Sequence, residues 1–148
     1  MIDVRACIDV DDMDKAIAFY TAGIGLSVGR RFESAWVEML GATLPIDLLC
    51  NPPGTAPCAC DPALRRDYRR HWTPTHLDFV VPDLEIAVDR VRALGATLDR
   101  DIQERPWGRM ANLGDPFGNG FCLLEFRGGG YDAMSEAAAV APPAEAKA

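Results

Sequence analysis

The chain has 148 residues, 49% hydrophobic and 25% charged, and a formal net charge of −7 from 15 Lys and Arg against 22 Asp and Glu. This is globular composition, in a length suited to one core. The acidic balance argues against nucleic acid and against an anionic membrane surface, both of which are bound through Lys and Arg. No apolar run approaches the ~20 residues of a membrane helix.

The opening, Met-Ile-Asp-Val-Arg, has no basic region followed by an apolar one, so no secretory leader is read there. The expectation is a cytoplasmic protein whose five cysteines (7, 50, 58, 60 and 122) are reduced. Cys58 and Cys60 are expected as free loop thiols, because no further Cys or His lies close enough to complete a Cys-rich zinc motif.

Residues 4–10 read as a strand. Asp11 or Asp12 then caps a helix whose apolar face is Met13, Ala16, Ile17 and Tyr20, ending at Gly23 and Gly25. Strands are expected over 26–32, 35–40 and 45–50, closed by Asn51-Pro-Pro-Gly54. Residues 55–73 form a linker, with a helix over 62–70 that would carry Arg65, Arg66, Arg69 and Arg70 on a solvated face. A strand over 75–81 follows. Asp83 caps a second helix with Leu84, Ala87, Val88, Val91 and Leu94 on one face and Gly95 as its stop. Strands are then expected over 97–103, 109–113 and 121–126. The last is introduced by the tight turn Asp115-Pro-Phe-Gly-Asn-Gly120. Gly128-Gly-Gly130 breaks the sheet, residues 131–140 suggest a short helix, and 141–148 read as a tail.

The two halves repeat one order of elements: strand, helix, three strands. Asp12-Met-Asp-Lys-Ala-Ile17 aligns with Asp83-Leu-Glu-Ile-Ala-Val88. The same alignment sets Arg5 opposite His76 and Cys7 opposite Asp78. At the far end, Pro45-Ile-Asp-Leu-Leu matches Gly120-Phe-Cys-Leu-Leu, setting Asp47 opposite Cys122. The fold class is therefore α+β: two βαβββ modules whose curved sheets enclose a cavity. Module 1 is 1–54, module 2 is 74–127, and the two form a single domain over 1–127 with a C-terminal segment beyond it. In each strand alternate residues face the helix. Ala6, Ile8, Ile46, Leu48, Leu77, Phe79, Phe121 and Leu123 go under the helices. Arg5, Cys7, Asp47, His76, Asp78 and Cys122 are left in the concavity, a natural ligand site.

The pattern resembles the vicinal oxygen chelate superfamily of glyoxalase I, extradiol dioxygenases, and fosfomycin- and bleomycin-resistance proteins. The run from Met13 to Leu26, the stretch from His76 to Gly95 and Asp115-Pro-Phe-Gly-Asn119 carry the resemblance over residues 2–127. It implies metal ligands on the first and last strand of each module, which here are Arg5, Asp47, His76 and Cys122. Arg5 has no lone pair to give and would repel a cation. Cys122 stands where a glutamate is usual, and Glu125, three residues on, points the other way by strand alternation. No metal is therefore expected at the family's centre. If one binds, Asp47, His76 and Cys122 would hold it, as Zn, Ni, Fe or Mn.

Each residue has two readings. Arg5 and Asp47 either form a structural ion pair, or Arg5 holds an anionic ligand group. His76 is a hydrogen-bonded cavity histidine or a general base. Cys122 is a small buried hydrophobe or a thiolate activated by His76. Trp107, flanked by Glu104, Arg105 and Arg109, is a packing residue or a ligand-stacking one. The resemblance implies a homodimer binding a small organic molecule in the cavity. The alternatives are a glyoxalase-type isomerase, lyase or dioxygenase with an altered ligand set, and a non-catalytic subunit.

Overall fold

A computed structural model of the chain describes residues 2–132 and 134. Module 1 runs β1 (Ala6–Val10), α1 (Met13–Ala18) with a π-helical continuation (Phe19–Ile24), β2 (Ser27–Phe32), β3 (Trp36–Leu40) and β4 (Ile46–Cys50). Module 2 runs β5 (Leu77–Val80), α2 (Leu84–Ala93), β6 (Thr97–Leu98), β7 (Gln103–Arg105), β8 (Gly108–Gly114) and β9 (Gly120–Phe126). One sheet has the order β1-β4-β3-β2 and the other β5-β9-β8-β6, with β7 also on β8. In both, the first and last strands are parallel. The two βαβββ modules expected from the repeat are thus present, in two separate sheets.

The helices begin alike. Asp12 accepts from Lys15 N at 3.0 Å and Asp83 from Ile86 N at 2.9 Å, each satisfying a free donor of a first turn. Gly25, at φ 96°, ends the first helix in a left-handed cap. The expected under-helix residues behave as strand alternation requires. Ile46, Leu48, Phe121 and Leu123 are buried, and Ala6, Ile8, Leu77 and Phe79 pack against the same core. Phe121 meets Phe19 and Phe79 edge-to-face, with ring centroids 6.1 and 6.0 Å away, which joins the helical layer to β5 and β9.

Three polar ties also hold module 1 to module 2. The Tyr20 hydroxyl donates to Asp115 Oδ2 at 2.8 Å, Arg90 Nε to Gly23 O at 2.7 Å, and Asn119 Nδ2 to Asp9 O at 3.2 Å. Glu125 does point away from Cys122, toward the helix. It accepts from the backbone N of Leu84, the first residue of α2, at 2.8 Å, and pairs with Arg109 and Arg127. Arg109, then Leu84 N–H and Arg127, lower its pKa to about 2, from roughly 4.3 in an open chain. Because the folded value is the lower one, this contribution is complete above pH about 4.3 and is lost as pH falls toward 2. Melting curves at stepped pH should therefore fall more steeply across that window for the wild type than for Glu125→Gln. Parallel curves would exclude Glu125 as the source.

Three expectations need correction. The strand expected over 97–103 is split into Thr97–Leu98 and Gln103–Arg105, and between them Asp99 turns to pair with Arg70. The helix expected over 62–70 does not form. Its arginines are not all solvated: Arg66 Nε binds Asp9 at 2.7 Å and Arg70 binds Asp99. The Tyr68 hydroxyl lies 2.7 Å from Asn51 O and 3.1 Å from Val10 O. These long-range partners, Asp9, Val10 and Asn51 in module 1 and Asp99 in module 2, pull the segment into an irregular path across both modules. Finally, Cys58 and Cys60 are joined in a disulfide, their Cα atoms being 5.4 Å apart, within bridging range. Cys7, Cys50 and Cys122 are free thiols. The tail over 141–148, and all of the 131–140 helix except 131, 132 and 134, lie outside the described residues.

Candidate functional site

Sheet register builds two matching rows of side chains. In module 1, Cys7 on β1 sits beside Asp47 on β4, and Asp47 beside Glu38 on β3. In module 2, Asp78 on β5 sits beside Cys122 on β9, and Cys122 beside Asn112 on β8. Two residues before each row, and so on the same strand face, stand Arg5 and His76.

The module 1 row is occupied by its own charges. Arg5 grips Asp47 with Nε at 2.8 Å and Nη2 at 2.6 Å, and Nη2 also reaches Glu38 at 2.8 Å. Arg30 takes Glu38 from the other side, with Nε at 2.9 Å. Gly29 leaves the room, since a Cβ there would lie 2.7 Å from Glu38 Oε2. Arg30 and then Arg5 hold the Glu38 carboxyl far below the usual carboxylate range, and Asp47 and Glu38 hold the Arg5 guanidinium above its own. The geometry here is that of the structural ion pair. Glu38 was not singled out in the sequence; its signal is the hairpin register that sets it opposite Asp47.

The module 2 row is less committed. His76 Nε2 lies 3.2 Å from Asp78 Oδ1. Asn112 Nδ2 donates to Cys122 Sγ at 3.1 Å, and its Oδ1 accepts from Gln103 Nε2 at 3.0 Å. The Trp72 ring packs on the imidazole with centroids 4.5 Å apart. Burial first, then the neighbouring Asp78 charge, pushes the Cys122 thiol up to about 12, so at neutral pH it keeps its proton. That state fits a buried thiol rather than a nucleophile activated by His76.

A cavity of about 1000 Å³ lies beside these rows. Residues 4–9 of the β1 segment and 75–77 and 79 of the β5 segment line it, with Tyr20, Leu44 and Phe121. Leu64, Tyr68, His71 and Thr73 of the linker supply another wall. Both faces of residues 4–9 reach it, because β1 is an edge strand and the cavity runs along that edge; the sheets do not close round it. Arg5, Cys7 and His76 are therefore on its wall. Asp47, Asp78 and Cys122 stand behind them in the sheets. Trp107 is elsewhere: its ring packs on Phe126 at 5.8 Å and Tyr131 at 5.2 Å. The sequence does not single out Tyr68 or His71 for this wall, since the path of the linker is set by distant partners, nor Tyr20, which it places on the apolar face of the first helix.

A family model described as Glyoxalase-like domain matches residues 5–124. The chain belongs to the Glyoxalase-like domain family. This glyoxalase-like domain is 32% identical over 122 residues to Anthracycline biosynthesis protein DauV of Streptomyces sp. (strain C5), covering 79% of this chain and 38% of that protein. It is 31% identical over 121 residues to Anthracycline biosynthesis protein DnrV of Streptomyces peucetius, covering 80% and 39%. The chain thus spans about two-fifths of the length of these curated relatives. Among solved structures it resembles a variant of the fosfomycin resistance protein FosX from Listeria monocytogenes, complexed with Mn(II) and 1S,2S-dihydroxypropylphosphonic acid. The TM-score is 0.63 at 20% identity, covering 84% of this chain and 90% of that one. The vicinal oxygen chelate fold expected from the repeat is the fold of this glyoxalase-like domain.

The four positions that carry the superfamily's metal do not fit one here. Arg5 has no lone pair to give, and its two hydrogen bonds neutralise Asp47, so an ion shared with His76 and Cys122 would have to compete with the guanidinium for that carboxylate. A carboxylate cluster of Asp83, Glu85 and Glu125 is likewise spanned by Arg109, which binds Glu85 and Glu125. Among the described residues, no helix is long and apolar enough to cross a membrane.

Proposed function

We propose that this glyoxalase-like domain binds a small aromatic organic molecule in the cavity between its modules, without a metal at the superfamily's four-residue centre. The observation that carries this is the cavity itself: about 1000 Å³, walled by Tyr20, Phe79 and Phe121, with His76 and Arg5 at one side. Aromatic and aliphatic walls with a few polar groups are what orient a flat ligand. The names of DauV and DnrV point toward fused-ring aromatic compounds. Mn(II) belongs to FosX, and its preference for oxygen and nitrogen donors is not met by a centre containing Arg5.

The test is titration of chelator-treated protein with a dihydroxyanthraquinone, followed by absorbance and tryptophan quenching. Saturable binding is expected. Leu64→Glu, at a half-exposed wall residue, should weaken it at least about tenfold without moving the melting temperature. No saturable binding up to the solubility limit would remove the proposal.

A second reading, a lyase, isomerase or dioxygenase of the glyoxalase type, draws support from the contact of His76 with Asp78, which suits a general base. Recovery of ligand unchanged after long incubation separates binder from enzyme. We also propose a homodimer, because β1 and β5 each pair on one side only and leave strand edges open. A monomeric mass in light scattering at micromolar concentration would contradict it. The free thiols Cys7, Cys50 and Cys122 suit a cytoplasmic location, where the Cys58–Cys60 bridge would be expected to open.

A further inference from the structure

We propose that module 2 alone holds a zinc site, with His76, Asp78 and Cys122 as its three protein ligands. The site shares His76 and Cys122 with the superfamily's four positions but takes Asp78, which is not one of them, in place of Arg5 and Asp47, and so lies within one module. It goes beyond the ligand-binding proposal and does not depend on it.

Geometry is the first support. One imidazole nitrogen, one carboxylate oxygen and the sulfur all lie within 4.8 Å of one another. Bond lengths of roughly 2.0–2.3 Å around a tetrahedral zinc put neighbouring ligand atoms about 3.3–3.8 Å apart. The His76–Asp78 separation of 3.2 Å is already close to such an edge. The ligands are also carried on rigid elements. His76 and Asp78 alternate onto one side of the β5 segment, and Cys122 is the register partner of Asp78 on β9.

The surroundings are those of a supported ligand set. Asn112 donates to the sulfur at 3.1 Å and is itself oriented by Gln103, as a donor beside a metal-bound thiolate should be. Trp72 packs on the His76 ring and restricts its rotation. A site of one sulfur, one nitrogen and one oxygen donor selects a borderline-soft ion such as Zn(II) over Mn(II), Mg(II) or Ca(II), which favour oxygen. It is not the two-histidine, one-carboxylate set of non-haem iron. Three protein ligands leave a fourth position for water or a ligand atom. Binding exchanges the Cys122 S–H bond for a Zn–S bond and gives one proton to solvent.

Module 1 cannot repeat the site. There Cys7 takes the place of Asp78, but its row is closed by the bonds of Arg5 to Asp47 and Glu38. The asymmetry makes the assignment testable by position.

The experiment uses full-length protein carrying Cys58→Ser and Cys60→Ser, so that loop thiols do not compete, stripped with a chelator. Co(II) serves as spectroscopic probe and Zn(II) is titrated against a chromophoric chelator. The expected result is one ion per chain, a thiolate-to-cobalt charge-transfer band in the near ultraviolet, and its loss on adding zinc. Cys122→Ser should abolish the band. Asp78→Asn should weaken zinc binding roughly 10–100-fold. Cys50→Ser should change neither. Circular dichroism on each variant checks folding, and a variant that fails it is replaced by Cys122→Ala or Asp78→Ser. A band that persists without Cys122, or no stoichiometric binding by the folded protein, overturns the proposal. So does an Asp47→Asn variant that loses zinc as completely as Cys122→Ser. Anthraquinone binding, measured on chelator-treated protein, stands or falls separately.

Discussion

Asp115→Ala is expected to destabilise the fold by about 3–5 kcal/mol, because it strips a buried carboxylate from several donors at once. Asp115 Oδ2 accepts from the Tyr20 hydroxyl at 2.8 Å and from Asn119 Nδ2 at 3.0 Å. Its Oδ1 accepts from the backbone N of Phe117 at 2.9 Å and of Asn119 at 2.8 Å. Alanine leaves the Tyr20 hydroxyl, itself in the core, without that acceptor, and frees the turn that starts β9. The carboxyl is pushed above the usual carboxylate range by burial, yet the four donors show why the site needs an acceptor. Urea unfolding should show the loss as a lower midpoint, and thermal melting as a drop of roughly 10 °C. Tyr20→Phe removes one donor and keeps the carboxylate bonded to the turn, so its cost should be only about 1–2 kcal/mol. Equal costs for the two variants would mean that the stability lies in the Tyr20 contact between the modules and that the bonds to the turn add nothing.

Gly118→Ala is the second large effect. Gly118 sits at φ +84°, and a Cβ there would lie 2.3 Å from the carbonyl oxygen of Arg69 and 2.9 Å from that of Tyr68. Both obstacles are backbone, so the linker must lift away. The carbonyl of Gly118 also accepts from the backbone N of His71 at 2.9 Å, which fixes the linker to the turn. The expected cost is about 2–4 kcal/mol, and the cavity wall of Tyr68 and His71 should move with it, weakening anthraquinone binding. Gly54→Ala provides the comparison. Gly54 is at φ +77° with nothing within 4 Å of the added Cβ, so only backbone strain of about 1–2 kcal/mol is expected. If the two substitutions cost the same, linker docking contributes nothing.

The sequence made the modules legible because local and repeated signals agreed. Asp12 and Asp83 cap their helices through equivalent bonds, and the alternation of Ile46, Leu48, Phe121 and Leu123 decided which strand face met the core. The linker was opaque for the opposite reason. An Arg-rich run from Arg65 to Arg70 is compatible with a helix face, and what decides its path is Asp9, Val10 and Asp99, far away in the chain. The site was half legible. Its residues were named from alternation and alignment, but alternation says nothing of lateral pairing. The Arg5–Asp47 ion pair is one of the two readings the sequence offers; lateral pairing is what adds Glu38 to it, and Asn112 to Cys122. Of the two readings of Trp107, its surroundings fit packing, since its ring is taken up by Phe126 and Tyr131.

The closed row of module 1 has a consequence for how the chain can change over generations. Cys7-Asp47-Glu38 and Asp78-Cys122-Asn112 occupy equivalent positions in two copies of one unit. One copy has become an internal clasp whose members constrain each other, so that losing any one exposes the charges of the rest. The other is not closed by ion pairs: Cys122 and Asn112 are bonded and buried, while Asp78 stays exposed. Substitution at exposed Asp78 can therefore explore new chemistry at small structural risk, whereas Cys122, buried against Asn112, is held by packing, so that change in this copy enters from its exposed end.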